Sequence, residues 1–132
     1  MSLNNVWIET LGDGLIRADQ IIGIDTHPTP AIAGKPSRWL LDIVLPTTTG
    51  SGVPDTWAIR ALHRTLVQTQ HPATQAPAHL ARLLAQLDAV SSAGIITTTV
   101  DTGDKTDPRS VSVRFQFVPF APAETGDHGE YL

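Results

Sequence analysis

Cysteine is absent from the 132-residue chain, which excludes a disulfide framework, thiolate zinc sites, iron–sulfur ligation and a cysteine nucleophile. Charge is scarce: 17% of residues carry it, and nine basic against thirteen acidic side chains leave a net charge of −4. A general nucleic-acid binder shows the opposite balance. Long apolar runs are missing too, and none approaches the roughly 20 residues of a membrane-spanning helix. The opening MSLNNVWIET lacks the basic-then-apolar order of a secretory signal. These absences lead to the expectation of one cytoplasmic domain without a membrane partner.

What is present suits a packed domain. Apolar residues make up 41% of the chain, and a chain of this length buries about two-thirds of its unfolded surface. Seven arginines against two lysines suggest a GC-rich, bacterial source. Glu124, Asp127 and Glu130 supply three of the four excess negative charges, so residues 1–119 read as a near-neutral α+β domain. Residues 120–132 read as an acidic tail.

The apolar pattern predicts a curved antiparallel sheet of about six strands with one amphipathic helix packed against it. Strand-favouring runs lie at 6–10, 15–17, 21–24, 39–45, 95–100 and 110–118. Gly12 and Gly14 supply a tight turn between the first two, and the first 46 residues read as an antiparallel meander. Residues 27–36 hold three prolines and a glycine and are assigned to a loop. Residues 57–70 fit a strand better than a helix, with a hairpin turning near His63 as a variant. Leu80, Leu83, Leu84 and Leu87 fall at i, i+3, i+4 and i+7 of a helix over 77–93, and Val90 extends that stripe. Pro77 opens the helix and Gly94 is expected to cap it. In plan this resembles pleckstrin-homology-type modules, although two strands following the helix depart from that pattern.

Asp101-Thr102-Gly103 resembles the active-site triplet of aspartic proteases, which implies one aspartate per subunit of a dimeric enzyme. Asp104 follows where that family has a small residue, and 29 residues remain after Gly103. Those departures make the triplet a turn. Leu45-Pro46-Thr47-Thr48-Thr49-Gly50 looks like a sortase signal, but an extra Thr precedes the Gly and no apolar segment follows. Asp101, Asp104 and Asp107 do not have the alternation of a calcium loop.

His63, His71 and His79 recur every eight residues, a spacing that sets neither a helical nor a strand zinc pair. His63 beside Asp42 or Asp55 forms at most an acid–base pair, and no serine stands in a nucleophile-elbow context. No catalytic residue, metal or cofactor is therefore expected. Trp39 and Trp57 with Arg60 and Arg64 are the residue types enriched at protein interfaces. They are the candidate partner-binding set. The functional expectation is a non-enzymatic interaction or self-assembling module, a homo-oligomer bound to itself or to another protein. The alternatives are a small-molecule-sensing domain with a cavity between helix and sheet, and a phage or prophage structural protein.

Overall fold

The computed structural model describes residues 2–12, 14–46, 62–101 and 111–121. Those residues form an α+β structure with seven strands in two sheets and one α-helix. Sheet A contains β1 (Val6–Thr10), β2 (Gly14–Arg17), β6 (Gly94–Asp101) and β7 (Ser112–Pro119), in the order β2-β1-β6-β7. Sheet B contains β3 (Gly23–Pro28), β4 (Trp39–Leu45) and β5 (Leu62–Thr69), in that order. The helix α1 (Ala76–Val90) packs against β7 and β3.

The single meander expected over the first 46 residues divides between the sheets. A 3-10 turn at Ala18–Gln20 ends the β1–β2 hairpin, and the chain crosses to begin sheet B at β3. One pairing is parallel: β1 lies beside β6, with Val6 opposite Gly94 and Ile8 opposite Ile96. Every other pairing among the described strands is antiparallel.

Residues 27–36 are not all loop. His27 and Pro28 extend β3, paired with Leu40 and Trp39. Pro28 is tolerated because β3 is an edge strand, where a missing N–H breaks no second ladder. Residues 62–69 are strand, and His63 lies within it instead of at a turn. The acidic tail from 122 onward, Trp57, Arg60, Asp104 and Asp107 lie outside the described residues.

The core forms where the two sheets and the helix meet. β4 contributes Leu41, Ile43 and Leu45, β1 contributes Val6 and Ile8, and Leu66, Val67, Ile96 and Val113 close around them. Leu80 is fully buried and Leu87 nearly so, whereas Leu83 and Leu84 are half-buried and Val90 is exposed. The apolar stripe of the helix is thus one turn shorter than its sequence suggests. Ser91 takes the left-handed conformation at φ 51° and closes the helix, and Ser92 N–H donates to the Leu87 carbonyl. Gly94 has a different task from the expected cap. It begins β6 so tightly against β7 that a Cβ there would overlap the Val118 carbonyl and lie 2.7 Å from Pro119 Cα. Among the described residues, no helix is long and apolar enough to cross a membrane.

Candidate metal centre

β4 reads Trp-Leu-Leu-Asp-Ile-Val-Leu, and Asp42 is its one charge. Alternation sends Leu41, Ile43 and Leu45 into the core and turns Leu40, Asp42 and Val44 to the other face. Asp42 is nevertheless only 2% exposed. A carboxylate so far from water needs donors around it.

Neighbours on both flanking strands supply them. His27 Nε2 lies 2.6 Å from Asp42 Oδ2, and the Thr65 hydroxyl donates to Asp42 Oδ1 at 2.8 Å. His63 Nδ1 stands 3.5 Å from Asp42 Oδ2 and 3.8 Å from Asp25 Oδ2. The two imidazoles meet edge to face, with centroids 6.0 Å apart. One ligand-type atom from each of Asp25, His27, Asp42 and His63 falls within 4.8 Å of all the others.

Two features of the backbone bring these side chains together. On β3, Asp25 and His27 are two apart and share a face. On β5 the register slips between its pairing with Leu41 and with Asp42: Leu41 faces Val67, yet Asp42 faces Thr65. In an unbroken ladder Asp42 would face Leu66. The extra residue is a β-bulge. It lets Leu66 and Val67 both reach the core while Thr65 and His63 join Asp42 on the opposite face. Leu11 N–H donates to the Thr65 carbonyl at 2.8 Å, tying the β1–β2 turn to the bulge.

The electrostatics of the cluster are unbalanced. Asp25 sits directly opposite Asp42 in the β3–β4 register, and like charges in that relation repel. Among the described residues, Asp25 Oδ1 is buried and has no hydrogen-bond partner. Both facts call for positive charge between the strands. Part of it comes from His27, whose pKa is raised, chiefly by its hydrogen bond to Asp42 and against the opposing effect of burial. A folded-state pKa above the unfolded value of about 6.5 stabilises the fold fully below that pH. The contribution is lost as pH rises through the folded pKa. Metal-free protein should therefore melt at a lower temperature at pH 8.5 than at pH 6. His27→Ala should remove part of that difference, and an unchanged pH dependence would refute the assignment.

The candidate partner-binding residues lie elsewhere. Trp39 and Arg64 are half-buried, on the face of sheet B opposite Asp42 and His63. Arg64 faces Ile43, four residues and about 13 Å along β4 from Trp39. His71 and His79 take no part in the cluster, and Asp101 pairs with Arg114 at 3.1 Å. Between α1 and sheet A an open cleft of about 370 Å³ is lined by His79, Leu83, Asp101, Arg114 and Phe115, among others. Of the four cluster residues, sequence reading raised His63 with Asp42 as a pair and missed Asp25 and His27. Their signal was an Asp-x-His alternation, hidden by assigning His27 to a proline-rich loop.

The Thr65 hydroxyl proton is directed to the Asp42 carboxylate. Two imidazoles and two carboxylates are a zinc-type donor set. Tetrahedral ligands at about 2.05 Å from zinc lie about 3.3 Å apart, against separations of 2.6, 3.5 and 3.8 Å here. All four donor atoms lie within 4.8 Å of one another, so no gap has to narrow by more than about 1.5 Å to reach that spacing. Set against known proteins, the chain matches no family model, no curated protein and no solved structure, so the geometry of this cluster carries the functional reading.

Proposed function

We propose that this chain is a divalent-metal-binding domain whose ion, of the zinc type, is held by Asp25, His27, Asp42 and His63. The observation that carries the reading is the pair of aspartates facing each other across β3 and β4, one with an orphaned buried oxygen, beneath two imidazoles. The ligands come from all three strands of sheet B, so a bound ion pins the edge strand β3 to the centre of the sheet. That is a structural or sensing role, in keeping with a non-enzymatic module. The expected self-association has less to rest on: the exposed apolar side chains Leu11, Leu15, Ile22, Ile32, Leu62, Val90, Val118 and Phe120 are distributed over many elements.

The test is native mass spectrometry of chelator-treated protein after addition of zinc. One tightly held equivalent is expected, and His27→Ala together with His63→Ala should abolish it. No uptake, or uptake that the double variant keeps, would overturn the reading. The same spectrum reports whether the protein is a monomer or a homo-oligomer.

A further inference from the structure

The face of sheet B that carries the metal cluster does not end with it. Continuing the alternation, Thr29 follows His27, and Arg38 precedes Leu40 and Asp42, on that same face. Beyond the bulge, Gln68 faces Leu40 and therefore joins them. Thr29, Arg38 and Gln68 line an open cleft of about 430 Å³, closed on its other sides by Pro30, Ile32, Lys35 and Pro36.

The walls of this cleft are held in place by the backbone. Thr29 N–H donates to the Arg38 carbonyl at 2.7 Å, and Arg38 N–H donates back to Thr29 Oγ1 at 2.8 Å. Lys35 N–H donates to the Ile32 carbonyl at 2.8 Å, and Gly34 makes the turn at φ 84°. The loop therefore presents Lys35 and Arg38 on a fixed frame. Among the described residues, neither cation has a carboxylate within ion-pair distance. The cluster next to them does the opposite: it gathers carboxylates beyond what its imidazoles neutralise.

We propose that this cleft binds a small oxyanion, a phosphate ester or a carboxylate, between Arg38 and Lys35, and that the anion and the metal ion tighten each other's binding. The inference rests on the metal reading for its second half. A guanidinium fork matches either head group, and the Thr29 hydroxyl and Gln68 amide add neutral donors. Pro30, Ile32 and Pro36 give the cleft apolar lining for the remainder of the ligand. Thr29 lies two residues, about 7 Å, along the strand from His27. Asp25 lies four residues, about 13 Å, from Thr29, and Asp42 as far from Arg38. Without an ion the two carboxylates repel an incoming anion across that distance. A divalent ion cancels the two carboxylate charges and removes that repulsion. By linkage, the anion must strengthen metal binding by the same factor.

Isotopically labelled protein titrated with phenyl phosphate and, separately, with phenylacetate tests this by amide chemical shift, with and without one equivalent of zinc. Zinc uptake is read independently by mass. The expected result is shifts at Thr29, Lys35, Arg38 and Gln68, with binding about fivefold tighter in the zinc-loaded protein. The tighter of the two probes identifies the head group. Arg38→Gln combined with Lys35→Gln should weaken binding at least tenfold while zinc uptake and melting temperature stay unchanged. Zinc uptake without anion binding overturns the proposal alone, as does equal affinity with and without the ion, or full affinity in the double variant. Failure to take up zinc overturns the metal reading and, with it, the coupling.

Discussion

Replacing Leu80 by Asp is expected to leave the chain without a cooperative melting transition. Leu80 is fully buried, and α1 reaches the core chiefly through it, Leu87 and Ala76. Truncating such a leucine to alanine costs about 2–5 kcal/mol. An aspartate adds the penalty of an unpaired buried charge, about another 3 kcal/mol or more. The sum, about 5–8 kcal/mol or more, matches the whole stability of a domain in the lower part of the usual range of about 5–15 kcal/mol. Leu84 supplies the control. It stands at the next turn of the same stripe but is only half-buried, so Leu84→Asp should lower the melting temperature and still leave a transition. Circular dichroism melts of the two variants make the comparison. A cooperative transition in Leu80→Asp close to that of the wild type would mean that α1 is not docked as described.

Asp42→Ala is expected to uncouple metal from stability without unfolding the protein. In wild type, zinc at about one hundred times its dissociation constant adds about 2.7 kcal/mol to the folded state. For a chain of this length that is a rise of about 10 °C in melting temperature. Asp42 is central to the cluster, because His27, His63 and Thr65 all approach its carboxylate. Removing it should weaken zinc binding at least about a hundredfold, since even loss of a group that only orients a ligand costs 10–100-fold. At the same zinc concentration the variant should then gain only about 1–2 °C. Its metal-free stability should fall by about 1–3 kcal/mol, from the hydrogen bonds lost by Thr65 and His27. Equal zinc-induced shifts in both proteins would place the ion away from sheet B, at His71 or His79 for instance.

The elements with regular periodicity were legible in the sequence. The leucine spacing marked α1, and the alternation of Val113, Phe115 and Phe117 marked β7, because in both cases local pattern and tertiary burial agree. The division into two sheets was not legible. β1 takes its second partner from β6, a pairing that leaves no trace in either segment's own composition. Of the cluster, the sequence suggested His63 with Asp42 or Asp55, as an acid–base pair and not as metal ligands. Two things hid the rest. Pro28 made an edge strand look like a loop, and the bulge at Leu66 broke the alternation that would have shown His63, Thr65 and Gln68 to share a face.

The parallel pairing of β1 with β6 also sets a clock on synthesis. Val6 meets Gly94, 88 positions later in the chain. At translation rates of about 5–20 residues per second, about 4–18 s pass between the two leaving the ribosome. Through that interval β1 has at most its hairpin partner β2, itself a marginal pairing alone, and its other side offers open N–H and C=O groups to any passing strand. Sheet B and α1 are made in the meantime and can fold upon each other first. Sheet A is then the last part to close, and a nascent chain stalled before residue 94 would be the form of this protein most prone to join the wrong neighbour.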